Sequence, residues 1–134
     1  MSVLKISQMV RSTDGVVVCP RVHIATSWLA RLKGLLGTDC LASDEGLWLS
    51  PCASVHSLGM RYAIDVVFLD RQNQVTAVAA NLKPRRARFA PRGTRSALEL
   101  PAGAAAKQGL TRGDRLQFIS LSHEDLATET RHAH

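Results

Sequence analysis

Residues 63–70 read AIDVVFLD, an almost continuous apolar run with one charge inside it, Asp65. A short apolar run bounded by turn residues is the pattern of a buried strand. The polar stretch RQNQ (71–74) then turns the chain into VTAVAANL (75–82), so a hairpin is expected. A carboxylate placed among such neighbours must be paired, hydrogen-bonded or at the edge of a pocket, because an unpaired buried charge is very costly. The hairpin and its acid therefore constrain both the fold and the search for a site.

The remaining chain supplies partners for that hairpin. LKISQMV (4–10) alternates apolar and polar residues as a strand does, and STDG (12–15) is a turn signal in which Asp14-Gly15 suits a positive φ. VVVC (16–19) reads as the return strand, ended by Pro20, which cannot donate to a ladder. Further strands are expected at GLWLS (46–50), SALELPAG (96–103) and TRGDRLQFISL (111–121), with a short helical turn at AAAKQGL (104–110). The clearest helix covers about 26–37: Thr26 or Ser27 can cap it, and Trp28, Leu29, Leu32, Leu35 and Leu36 form one apolar stripe. The expected fold class is α+β and β-rich, a small closed or partly closed β-barrel of about seven short strands with this one main helix. One globular domain is expected over 1–121, and the polar tail 122–134 is expected to fray.

Length and composition agree with a single domain. A chain of 134 residues has core enough without disulfide staples, and 46% hydrophobic with 21% charged residues is ordinary for a globular protein. No apolar run reaches the ~18 residues of a membrane span, and MSVLKISQMVRSTDG lacks the pattern of a secretory signal, so the expected compartment is the cytoplasm. Three cysteines, Cys19, Cys40 and Cys52, without a C-x2-C pair, argue against a disulfide framework and a structural zinc site. The net charge of +6 is concentrated in KPRRARFAPRGTR (83–95), which contains no acid. Such a run is more often a solvated loop than a site. Nucleic-acid binding through Lys83, Arg85, Arg86 and Arg88 is the sharper alternative, with Phe89 as its single stacking residue.

Four phrases in fixed order carry a resemblance: SWLARLKGLLG (27–37), EGLWLSPCASVHSLGMRYAIDVVFLDRQNQV (45–75), ALELPAG (97–103) and GLTRGDRL (109–116). Together they resemble the domain of unknown function 192 family over about residues 20–118. The resemblance implies a small, mostly β domain without an established activity. The family's central motif, a Met and a basic residue ahead of Pro-Leu/Ile-Asp, maps onto Met60, Arg61, Ile64 and Asp65, with Ala63 where the proline usually falls.

Three sets of side chains could carry chemistry. Cys52, His56 and Met60 form a Cys-x3-His-x3-Met spacing, a donor set that suits copper or a similar soft metal. In an extended chain these three spread over ~27 Å at ~3.3 Å per residue, so one ion would need a curled loop. No metal and no cofactor is therefore favoured, and copper stays an alternative. A hydrolase-type enzyme could use Asp65, Glu99 and His56 as catalytic residues. The third set, Met60, Arg61, Asp65, Glu99, Arg31 and Asp114, would line a ligand site. For Asp114 the expectation is structural, a Gly-Asp turn whose carboxylate accepts backbone N–H bonds. The reading preferred from the sequence is a non-enzymatic module that binds a small molecule or a protein partner.

Overall fold

The computed structural model describes residues 5–25, 41–52, 54–56, 62–84 and 86–120. Among these the elements run β1 (Lys5–Arg11), β2 (Val17–Ala25), β3 (Glu45–Leu49), β4 (Ser54–His56), β5 (Ile64–Leu69), β6 (Val75–Leu82), β7 (Ala87–Phe89), β8 (Ser96–Pro101), the short helix α1 (Ala104–Lys107) and β9 (Leu116–Ser120). Seven strands make one sheet in the order β6-β5-β8-β3-β2-β1-β9, and β4 pairs with β7 in a separate two-stranded ribbon. The expected helix at about 26–37 and the tail 122–134 lie outside the described residues.

The sheet is mostly antiparallel, with one parallel pair, β2 with β3. Of the closed or partly closed barrel expected from the strand count, the closed form is not found among the described residues. Its two outer strands touch at one corner, through the bridge Gln74–Arg115 and the bonds Val75 N–H to Asp114 O (2.7 Å) and Leu116 N–H to Asn73 O (2.9 Å). β6 and β9 stand at opposite ends of the strand order, and no ladder between them extends this corner among the described residues.

The opening run forms β5, and every one of its residues is buried. It lies between β6 and β8, so its ladder is satisfied on both sides and its side chains alternate between two apolar clusters. Val67 and Leu69 join Met9, Val22, Trp48, Leu98, Leu100 and Leu116 on one face. Ile64, Val66 and Phe68 join Leu47, Leu49, Cys52 and Ala97 on the other. On the first face Trp48 meets Phe118 edge-on, with ring centroids 4.8 Å apart.

Local chemistry sets the turns. Gly15 takes φ 70, as the Asp14-Gly15 signal implies, while Asp14 Oδ1 accepts the Val16 N–H. Asp70 Oδ1 accepts the N–H groups of Gln72 and Gln74 at 2.9 Å, and Asn73 takes φ 60. Asparagine tolerates this left-handed conformation better than most residues. Pro20 does not end β2. Between the pairs Ser7–Val22 and Met9–Cys19 the register shifts, so Pro20 and Arg21 together oppose Gln8. A bulge of this kind accommodates a residue with no N–H to give.

Gly46 is required where β3 passes between β2 and β8. A Cβ there would stand 2.9 Å from Cys19 Sγ and 3.0 Å from the Glu99 carbonyl oxygen. Burial pushes the Cys19 thiol up to about 12.

Candidate binding groove and the buried carboxylates

Asp65 is fully buried, and its carboxylate is spent on backbone. Oδ1 accepts the Asn81 N–H at 2.8 Å, and Oδ2 accepts Gly103 and Ala105 N–H at 3.0 and 2.9 Å. The first bond holds the bulge at the end of β6, where Asn81 takes φ 53. The other two bind the start of α1, whose own cap, Gly103, has no side chain to offer. One acid near the start of β5 thus pins two irregular segments to it.

Glu99 is also fully buried, but on the opposite face. It pairs across β8 with Val66 and Leu47, whereas Asp65 pairs with Leu100. Because paired residues share a face and neighbours alternate, Asp65 projects among Val67, Leu98 and Leu100 while Glu99 projects beside Val66 and Leu47. The two carboxylates do not converge. The side chain of His56 lies outside the described residues, although its backbone forms the end of β4.

The other expected site residues separate in the same way. Asp114 accepts the Thr111 N–H at 3.0 Å and lies 3.4 Å from Arg11 Nη1, a turn-and-ion-pair arrangement at the corner where β9 begins. Arg11 Nε also contacts Asp14, at 3.2 Å. Met60, Arg61 and Arg31 lie outside the described residues. Cys52 is buried in the core, its N–H donated to the Arg95 carbonyl at 2.8 Å, and His56 follows in a strand. Among the described residues no group of three or more His, Cys, Asp or Glu could hold a metal ion.

The sequence did not point to His23 and Glu45. His23 Nε2 stands 2.8 Å from Glu45 Oε2, on the face that also carries Leu47 and Glu99. Their proximity follows from the parallel register of β2 on β3, which no local pattern displays.

Two concave features among the described residues lie along β6, an outer strand of the sheet. The segment 83–95 turns back beside it, contributes β7, and is tied down where Thr94 Oγ1 meets Thr76 Oγ1 at 2.8 Å and Arg95 N–H donates to the Leu69 carbonyl at 2.7 Å. Between β6 and this returning segment is a groove of about 320 Å³, lined by residues 78–82 on one side and by Lys83, Arg86 and Arg88 on the other. A second hollow, of about 270 Å³, lies at the start of β6 and is lined by Asp70, Gln74, Thr76, Arg92 and Arg112 among others. The basic run is therefore one wall of a cleft, with a strand of its own.

Comparison with known proteins gives the fold and no activity. A solved structure of a protein of unknown function from Novosphingobium aromaticivorans DSM 12444 superposes with a TM-score of 0.68 at 22% identity, covering 85% of this chain and 84% of the other. Another, from Sinorhizobium meliloti 1021 and described as a candidate transcription regulator, superposes with a TM-score of 0.72 at 21% identity, covering 88% and 98%. No curated protein matches the chain. The family model described as DUF192, "Uncharacterized ACR", matches residues 9–118, and the chain belongs to this uncharacterised family.

Proposed function

We propose that the protein is a non-enzymatic binding module whose ligand is anionic and lies in the groove between β6 and β7. The observation that carries this reading is the lining of the 320 Å³ groove by Lys83, Arg86 and Arg88 beside the outer strand of the sheet. Its volume falls within the ~300–1,000 Å³ range of ligand pockets. Guanidinium groups match carboxylate and phosphate oxygens in a fork geometry that an ammonium cannot offer.

Among the described residues the lining of this groove includes no carboxylate to compete with an anion. Of the described acids elsewhere, Asp14 and Asp114 face Arg11, Glu45 faces His23, Asp70 accepts backbone N–H groups, and Asp65 and Glu99 are buried. A hydrolase built on Asp65 and Glu99 is disfavoured because they occupy opposite faces. A binding role also accords with the fold partner described as a candidate transcription regulator, although a likeness at 21% identity speaks for the fold alone.

Calorimetric titration with inorganic polyphosphate tests the reading. Saturable binding that is lost in the double variant Arg86→Gln/Arg88→Gln is the expected result, and both positions are exposed, so the fold is kept. Equal binding by the variant and the native protein would overturn the assignment to this groove.

A further inference from the structure

The two hollows along β6 share one wall. Residues 86–92 pass from the groove of Arg86 and Arg88 to the hollow of Arg92, while β6 supplies the opposite side of both, from Leu82 back to Gln74. Cations thus recur along one track: Lys83, Arg86 and Arg88 at one end, Arg92 and Arg112 at the other, where they outnumber the one carboxylate of that hollow, Asp70, whose Oδ1 accepts the Gln72 and Gln74 N–H groups. β6 itself is eight residues long, roughly 26 Å at ~3.3 Å per residue. A compact anion would fill one hollow. An elongated polyanion meets both.

Two features select among elongated polyanions. A peptide strand adding to the edge of β6 would meet the bulge at Asn81, whose N–H is already given to Asp65, and Lys83 just beyond it. Bulges and lysines at an edge work against strand addition. A peptide also draws its affinity from apolar anchors seated in pockets. Here Val78, Ala79 and Leu82 of the lining pack against the core clusters, and the remaining apolar residue, Ala80, is exposed and offers only a methyl group. A phosphodiester backbone needs neither an anchor nor a ladder, only regularly placed cations.

The aromatic partner of such a track stands next to it. In β7 the alternation of side chains puts Phe89 on the other side of the ribbon from Arg88, and Phe89 is 75% exposed. A base that stacks on that ring must pass over the three-residue ribbon strand while its phosphate stays in the groove.

We infer that the groove binds single-stranded nucleic acid, with phosphates along Lys83, Arg86, Arg88 and Arg92 and a base stacked on Phe89. This rests on the anion-binding role proposed for the same groove.

The experiment is fluorescence anisotropy with a labelled oligothymidylate of about twelve nucleotides, its duplex with oligoadenylate, and a polyglutamate peptide of similar length, each at several salt concentrations. Four phosphate contacts on a single strand give a slope of log K against log salt of about −3, and Arg86→Gln/Arg88→Gln makes it shallower by about 1.4. Phe89→Ala is expected to weaken oligothymidylate about 5- to 150-fold without changing that slope, and to leave polyglutamate unaffected. Lys107→Gln, outside the groove, keeps native affinity. Binding of polyglutamate alone, with dependence on Arg86 and Arg88, overturns the nucleic-acid assignment and leaves the anion-binding role standing. Tighter binding of the duplex, or no effect of Phe89→Ala, also overturns it. Binding of neither polymer removes both readings.

Discussion

The carboxylate of Asp65 accepts the Ala105 N–H at 2.9 Å across 40 positions of sequence. This contact fixes a four-residue helix to the start of a buried strand. Helices this short are unstable alone, because nucleation is costly and few hydrogen bonds repay it. The stability of the 103–107 segment must therefore come from Asp65 and from Ala105, which is buried beneath it.

Asp65→Ala is expected to be severely destabilising, about 3–5 kcal/mol, since three backbone donors lose a charged acceptor. Asp65→Asn keeps one carbonyl oxygen and should cost less, about 1–3 kcal/mol. Urea unfolding of the two variants checks the order. Equal stability of Asp65→Ala and the native protein would refute the structural role.

Gly46→Ala is expected to cost about 1–3 kcal/mol, because the added methyl meets Cys19 Sγ, the Glu99 carbonyl and Leu100 Cδ2 within 3.1 Å. Part of this cost should vanish when Cys19→Ala is combined with it, since one of the three obstacles is removed. A double-mutant cycle in denaturant measures that coupling. Strict additivity of the two changes would contradict the packing described for β3.

Cys19 is expected to resist alkylation in the folded protein at neutral pH. Its thiol titrates at about 12, against an ordinary value of 9.0, chiefly through loss of solvation. Since the folded value is raised, the associated stability is fully present below pH 9. It is lost as pH rises from about 9 towards 12, where the unfolded thiol ionises and the folded one does not. Iodoacetamide labelling located by peptide mass spectrometry, native against urea-unfolded, tests the first statement. Comparing unfolding free energies of native protein and Cys19→Ala on either side of pH 9 tests the second.

Asp114→Ala removes the acceptor of the Thr111 N–H and the partner of Arg11 at the corner joining β6 and β9. A loss of about 1–2 kcal/mol is expected, mostly from the turn, since partly exposed ion pairs contribute little. Hydrogen exchange should show faster opening of Val75 and Leu116, whose amides bond across that corner. Unchanged exchange there would show that the backbone bridge stands without the side chain.

Much of the sheet could be read from local chemistry. The apolar run at 64–69, the Asp14-Gly15 turn and the Asp70–Gln74 turn each act within a few residues, so pattern and structure coincide there. Pro20 misled because a bulge, set by the partner strand, lets a proline remain inside β2. The demand that Asp65 be satisfied was legible, but its partners were not, because they are backbone groups of segments 16 and about 40 residues away. The sequence likewise could not show that Asp65 and Glu99 are directed apart. That depends on how β5 and β8 are registered, and a shift of one residue would have put them on one face. The groove was half visible: the basic run was evident, while its opposite wall, β6, depends on the edge position of that strand.

The corner at Gln74–Arg115 also bears on synthesis. Strand β9 comes last in the described chain, yet it covers the edge of β1, the first strand, and brings Leu116 into the main core. Until residues 116–120 have left the ribosome, the growing chain holds a formed hairpin with one unpaired edge and an unfilled cluster around Met9. Such an edge invites pairing with another nascent chain. The sheet can be completed only after residue 120 has been made, and premature termination before residue 116 would release a product prone to associate rather than a smaller stable domain.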